Sequence, residues 1–234
     1  MSQPGLPKMI MFYGPPGSGK GVQTDLLMEK FNLTPISWGE SFRNFAAKYA
    51  DDPSSPHYAR ANRVRDLLLQ GLPILTEDMM FILQDKIITT LEDPNTTVIM
   101  DKPGSLPPEA QWISDFLVQR QIPNCLIHLK IPFEVSVQRV TSRFYVPSDP
   151  REIPYNSYRE AKSKCKEGEE PIRRQDDSNL EVIKHRYYDL YLANCEQVMA
   201  IYRQNGLTKI LEIDAQQPIE DNFQQILTFL QENY

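Results

Sequence analysis

The decisive stretch is KMIMFYGPPGSGKGVQ, residues 8–23. A five-residue apolar run, MIMFY, has strand length. It breaks into Gly14-Pro15-Pro16-Gly17-Ser18-Gly19-Lys20, and residues 22–31 then read as a helix. Gly14, Gly19 and Lys20 stand at the offsets of a phosphate-binding loop. Glycines let the backbone curl until successive N–H groups point inward. The helix that follows adds its positive N-terminal end. Lys20 reaches the β- and γ-phosphates as a mobile point charge. A plain Gly/Pro turn accounts poorly for three glycines and a lysine at fixed offsets straight after a strand. The general pattern also asks for Ser or Thr after the lysine, to hold Mg²⁺, and this chain has Gly21 there.

Outward from the loop, strand-like and helix-like segments alternate. Residues 34–37 read as a second strand, and Gly39-Glu40 opens a helix with an acidic first turn. DDPSSP, 51–56, is a loop by composition. Residues 59–70 form a helix stopped by Gly71 and Pro73. Thr76-Glu77-Asp78 looks like a helix start before the apolar run 79–91. Residues 97–100 are a β-rich run ending in Asp101, where either a water-mediated Mg²⁺ ligand or a turn cap is expected. Residues 124–131 are another strand. The helix over 134–143 puts Arg139 and Arg143 on one face. Prolines and mixed charge make 144–171 an inserted, mobile segment. A long helix to about residue 203, a strand at 209–213 and an amphipathic helix carrying Ile219, Phe223, Ile226, Leu227 and Leu230 complete the chain. This alternation implies an α/β fold with a parallel, doubly wound sheet and ligands beyond the strands' carboxyl ends.

The 234 residues suffice for one sizeable α/β domain or at most two. A net charge of −6 argues against a nucleic-acid backbone binder, whose surface should be basic. Cys125, Cys165 and Cys195 are too widely spaced for a zinc or disulfide framework, which fits a reducing, cytoplasmic setting. No run approaches the ~18 apolar residues of a membrane span, and the first residues lack a signal peptide's apolar core. No sustained oligomer seam appears, so a monomer is expected.

The run GPPGSGKG-x-Q resembles the adenylate kinase family of P-loop nucleoside monophosphate kinases, and the similarity extends in order over nearly the whole chain. The resemblance implies a three-layer P-loop NTPase fold, a parallel β-sheet flanked by helices, in a single domain. Its core would comprise 1–38, 73–143 and 173–234, with an NMP-binding insertion at 39–72 and a lid at 144–172. It implies donor-nucleotide contacts from Gly14, Pro15, Gly17, Ser18, Gly19, Lys20, Gly21 and Val22, with Arg139 near the adenine of ATP. Asp101 would hold Mg²⁺ through water. Phosphoryl transfer would fall to Lys20, Arg43, Arg143, Arg174 and Arg186. Arg43, in GESFR, corresponds to the family arginine that grips the acceptor phosphate. Arg174-x-Asp176-Asp177 resembles the lid exit; a gapless pairing with Asp177-Ser178 instead puts Gln175 at the arginine position. The implied partners are ATP/ADP and a nucleoside monophosphate, AMP by default, with Mg²⁺ as cofactor.

The departures lie mainly on the acceptor side. The family's D-G-F-P-R is Asp101-Lys102-Pro103-Gly104-Ser105 here, so a second acceptor-phosphate arginine becomes Ser105 and a glycine becomes Lys102. A pocket threonine becomes Trp38, which either stacks on a base or packs in the core. An adenine-binding glutamine becomes Glu109. On the donor side, Val22 replaces a threonine. Lys102, Arg60, Arg63 or Arg65 could restore the lost acceptor-side charge. Two readings follow: an active nucleoside monophosphate kinase, or a catalytically weak ATP-binding regulatory module on the same fold. A GTP switch is disfavoured, because no N-K-x-D guanine reader occurs.

Overall fold

The computed structural model describes residues 6–70, 72, 74–91, 93, 96–149, 154–155, 157–174 and 177–234. Gly71, Pro73, Gln175 and Asp176, singled out above, lie outside the described residues.

Strand β1, Met9–Tyr13, is buried along its whole length. Its side chains alternate between two cores. Met9, Met11 and Tyr13 face one; Ile10 and Phe12 face the other. A strand that buries both faces must be central in a parallel sheet covered on both sides. The sheet order is β2-β3-β1-β4-β5, with every pairing parallel. The remaining strands are β2 (Leu33–Ile36), β3 (Thr97–Met100), β4 (Asn124–Lys130) and β5 (Thr208–Asp214).

One layer holds α1 (Lys20–Lys30) and α10 (Ile219–Asn233), whose Leu27, Phe223, Ile226 and Leu230 pack on Ile10 and Phe12. The other holds α2 (Trp38–Tyr49), α3 (Tyr58–Leu69), α4 (Thr76–Leu91), α5 (Pro107–Gln119) and α9 (Ala193–Gln204). This is the three-layer α/β architecture that the alternation implied.

Helix α3 is clamped to α4 by one buried carboxylate. Asp78 accepts from Arg60 Nε at 2.8 Å and from Arg63 Nε and Nη2, both at 2.7 Å. Arg65 bonds Asp51 at 2.8 Å and also Asn62. These pairings correct the expectation that Arg60, Arg63 or Arg65 serves the acceptor: each is already committed to stitching α3 to its neighbours. Burial would raise the carboxyl pKa of Asp78, but the two guanidinium forks outweigh it and hold it below the usual range.

Helix α5 was not anticipated from sequence. Its first residues are Pro107 and Pro108, and proline reads as a breaker; at a helix start, where the N–H has no partner anyway, it is at home. α6 (Phe133–Thr141) ends two residues before Arg143. Among the described residues of 144–172 there is one five-residue helix, α7 (Tyr158–Lys162), and two antiparallel bridges, Phe144 with Tyr155 and Tyr145 with Ile172. The long helix expected after it is composite. α8 (Leu180–Lys184) and α9 flank a π-helical stretch, His185–Leu192. The Asn194 side chain donates to the carbonyls of Asp189 and Leu190, at 2.8 and 3.1 Å, where this wider stretch ends.

Candidate active site

The loop between β1 and α1 curls at the carboxyl end of the central strand. Gly14 has φ +147°, and a Cβ there would stand 2.3 Å from the Leu129 carbonyl oxygen on β4, so only glycine fits. Ser18 N–H donates to Pro15 O at 3.2 Å, closing the curl. α1 begins at Lys20, two residues earlier than the sequence suggested, so the helix N-terminus opens directly onto the loop.

The Lys20 ammonium is enclosed by its own loop. It donates to Gly14 O at 2.7 Å and Pro15 O at 2.9 Å, with Ser18 Oγ at 3.4 Å. Burial pulls its pKa down to about 7; Arg143 and Lys102 push the same way and Asp101 opposes. A triphosphate would supply the missing negative charge.

Around the loop lies a cleft of about 570 Å³. Gly14, Gly17, Ser18, Gly19, Lys20, Gly21 and Val22 form its floor; Pro15 stays buried beneath. Arg143, Arg174 and Arg186 line its walls together with Tyr145, Leu190 and Tyr191, while Asp101, Lys102, Ser105 and Gly39 close the α2 side. The π-helical stretch brings Arg186, Leu190 and Tyr191 to the same wall. The Arg174 guanidinium lies 4.1 Å from the Tyr145 ring centroid. Tyr145 OH donates to Asp177 Oδ2 at 2.6 Å, and Arg186 approaches the same carboxylate at 3.8 Å. Burial, then Asp177, pushes the Tyr145 pKa up to about 12, so it stays a neutral donor.

A second cavity, about 340 Å³, adjoins the first through Gly17, Ser18, Gly19 and Val22. Arg139 and Arg143 line it opposite Gln23, Gln217 and Asn222. Arg139 Nη1 donates to Gly17 O at 3.3 Å, tying α6 to the loop. Gln23 is itself fixed by a 3.0 Å bond to Ile219 O on α10.

Asp101 sits where β3 ends, its carboxyl pKa raised by burial against the pull of Lys102 and Lys20. Its Oδ1 is buried and takes no hydrogen bond. A buried carboxyl oxygen without a hydrogen bond, beside a phosphate loop, fits a water-mediated Mg²⁺ contact, which would favour its ionised form. Gly21 and Val22 bring no hydroxyl, and among the described residues no group of three or more His, Cys, Asp or Glu could hold a resident ion. The donor set therefore suits a metal that arrives with its nucleotide.

Arg43 is not part of the cleft wall. It lies exposed on α2, folded back so that a Cβ on Gly39 would stand 3.3 Å from its Nη1. Gly39 itself lines the cleft, so Arg43 stands immediately behind the surface it was expected to form.

The acceptor-side departures take definite roles. Trp38 is 1 % exposed, packed edge-on against Phe42 within the core. Glu109 accepts from the backbone N–H of Ser105 at 2.7 Å and of Leu106 at 3.1 Å. It is a cap for α5, 6 % exposed, and does not point toward a ligand. Sequence reasoning missed Tyr13 and Tyr191, which line the cleft with their ring centroids 5.5 Å apart and tilted at 56°. A tyrosine hydroxyl at the last position of an otherwise wholly apolar strand was the available signal.

A family profile described as "AAA domain" matches residues 13–149. The chain belongs to the adenylate kinase family of P-loop proteins. It is 28 % identical over 228 residues to an adenylate kinase of Kluyveromyces lactis, covering 96 % of this chain and 94 % of that protein. It is 28 % identical to one of Chloroherpeton thalassium, over 90 % and 92 % of the two chains, and 26 % identical to one of Vanderwaltozyma polyspora over the full length of both. The family assignment and the cleft agree: loop, helix terminus and guanidinium groups all converge on one place. No helix among the described residues is long and apolar enough to cross a membrane.

Proposed function

We propose that this adenylate-kinase-family enzyme transfers the γ-phosphoryl group of Mg-ATP to a nucleoside monophosphate, with AMP the default acceptor. The supporting observation is the gathering of Lys20, Arg143, Arg174 and Arg186 on one cleft that includes the phosphate loop. An acceptor phosphate oxygen attacks the γ-phosphorus; the bond to the β,γ-bridging oxygen breaks, and ADP leaves. Such a transfer needs no covalent nucleophile from the protein, only positioning and positive charge around the moving group. Lys20 and the loop amides hold the donor phosphates. Arg143, Arg174 and Arg186 offset charge on the transferring group, each fork holding two oxygens. Arg43 orients the acceptor from behind Gly39, and Arg139 flanks the donor base in the adjoining cavity. Asp101 would hold a Mg²⁺ ion arriving with ATP, through water, and the ion would supply positive charge to offset the phosphates.

Residues 144–172 act as a lid that closes over the cleft and excludes water, so that the nucleotide rather than water is phosphorylated. Residues 39–72 act as the acceptor flap on the core of 1–38, 73–143 and 173–234. The protein works as a monomer in the cytoplasm. A coupled assay with ATP against AMP, UMP, CMP, GMP and their deoxy forms tests the reading, which expects transfer to at least one. The occupied state of Trp38 and Glu109 favours one competing reading, an ATP-binding regulatory module. Tight ATP binding with no transfer to any acceptor would select it.

A further inference from the structure

We infer that Lys102 is a second cation, beside Arg43, that holds the acceptor's phosphate, its ammonium resting on Trp38 before it engages the acceptor. This deepens the kinase reading and rests on it. Lys102 lines the cleft on its α2 side with Gly39 and Ser105, across from the arginine wall. Three other basic side chains of this flap have carboxylate partners: Arg60 and Arg63 pair with Asp78, and Arg65 with Asp51 and also Asn62. Ser105 brings no charge. Lys102 has no carboxylate salt bridge among the described residues; its ammonium lies 4.5 Å from the Trp38 ring centroid.

That platform is fixed. Trp38 is almost wholly buried, its ring held by core packing rather than by its polar edge, since Nε1 makes no hydrogen bond. A cation resting on an aromatic face gives up that contact readily for a phosphate dianion. The four-carbon stem lets the ammonium swing, which a guanidinium in a fixed fork does less freely. Lys102 shares this cleft with Lys20 and the phosphate loop. A point charge reads a phosphate monoester's charge and not its base. The ligand class is therefore a nucleotide bearing a terminal phosphate.

Equilibrium titrations of AMP, UMP, CMP and GMP, and separately of ATP, compare the wild type with Lys102→Gln and Lys102→Arg. Losing one charge-assisted contact predicts an acceptor Kd raised roughly ten- to a hundredfold in Lys102→Gln. ATP affinity should stay within about twofold, with substantial recovery in Lys102→Arg. In a Trp112→Phe background Trp38 is the only tryptophan, and acceptor binding should change its emission while ATP alone does not. Unchanged acceptor affinity in Lys102→Gln, equal loss of ATP affinity, or a silent Trp38 overturns the proposal. The kinase reading fails separately: a wild type that binds monophosphates through Lys102 but transfers nothing keeps this site and loses the enzyme. A wild type that turns over with Lys102→Gln unaffected does the reverse, and one that binds no monophosphate removes both.

Discussion

Lys20 is held between two states by its surroundings. With the cleft free of nucleotide it donates to the carbonyls of Gly14 and Pro15, and burial brings its pKa down to about 7. At pH 8 the group is then mostly neutral, whereas a triphosphate in the loop favours the ammonium. ATP binding should therefore take up protons: close to one at about pH 8 and about half of one near pH 7. The sign follows from a pKa that is low before binding and raised by the anion, so donor affinity weakens as pH rises above 7. Titration calorimetry in buffers of different ionisation enthalpy measures this directly, and no proton uptake at pH 8 would refute it. ATP's own γ-phosphate is already deprotonated at that pH and does not obscure the count.

At the scale of the element, α5 shows how a substituted family position can change employment. Glu109 spans from the first turn of α5 to the amides of Ser105 and Leu106, and it sets the loop that carries Lys102. Gly104 in that loop has φ +107°, and a Cβ there would meet Ala110 N at 2.5 Å, so the turn has no slack. Glu109→Ala should lower stability by about 0.5–2 kcal/mol, the worth of a lost cap, seen as a lower Tm. Glu109→Gln keeps an acceptor oxygen and should hold Tm nearly constant, with acceptor KM within about twofold. A large KM change in Glu109→Gln at unchanged Tm would make it a base reader instead.

Over the whole molecule, two-faced burial of β1 builds a rigid parallel sheet, and the loop at its end inherits that rigidity. The segment 144–172 is tied to the core differently. Among its described residues, two backbone bridges and surface pairs such as Lys162 with Glu170 hold the segment to itself, and the Tyr145–Asp177 bond links it to the core. Exposed pairs of that kind contribute little. Amide hydrogen exchange should therefore be faster across the described part of 144–172 than in β1 and β4. It should slow when ATP and a monophosphate are bound together. Exchange unaltered by both nucleotides would show that this segment is not a lid.

The strand, loop and first helix were legible in the sequence because each obeys a local rule: apolar run, glycine offsets, helix start. The alternation that yields the sheet is equally local, since a strand buried on both faces reads as an uninterrupted apolar run. The arginine pattern located candidates but not their neighbours. Arg143, Arg174 and Arg186 come from three separate parts of the chain, after α6, at the lid exit and on the π-helical stretch, and only the tertiary fold brings them onto one cleft. Arg60 and Arg63 carry the same charge in sequence, yet the buried Asp78 engages both. Whether a cation is available depends on which carboxylate folding brings within reach. Glu109 and Trp38 could be read as ligand contacts or as scaffold until burial decided, because a side chain's role is fixed by what surrounds it in space. The sequence by itself therefore determined the phosphate loop and the layered fold. Tertiary structure alone decided which charges meet on one cleft, since Coulombic interaction depends on distance in space and not on separation along the chain.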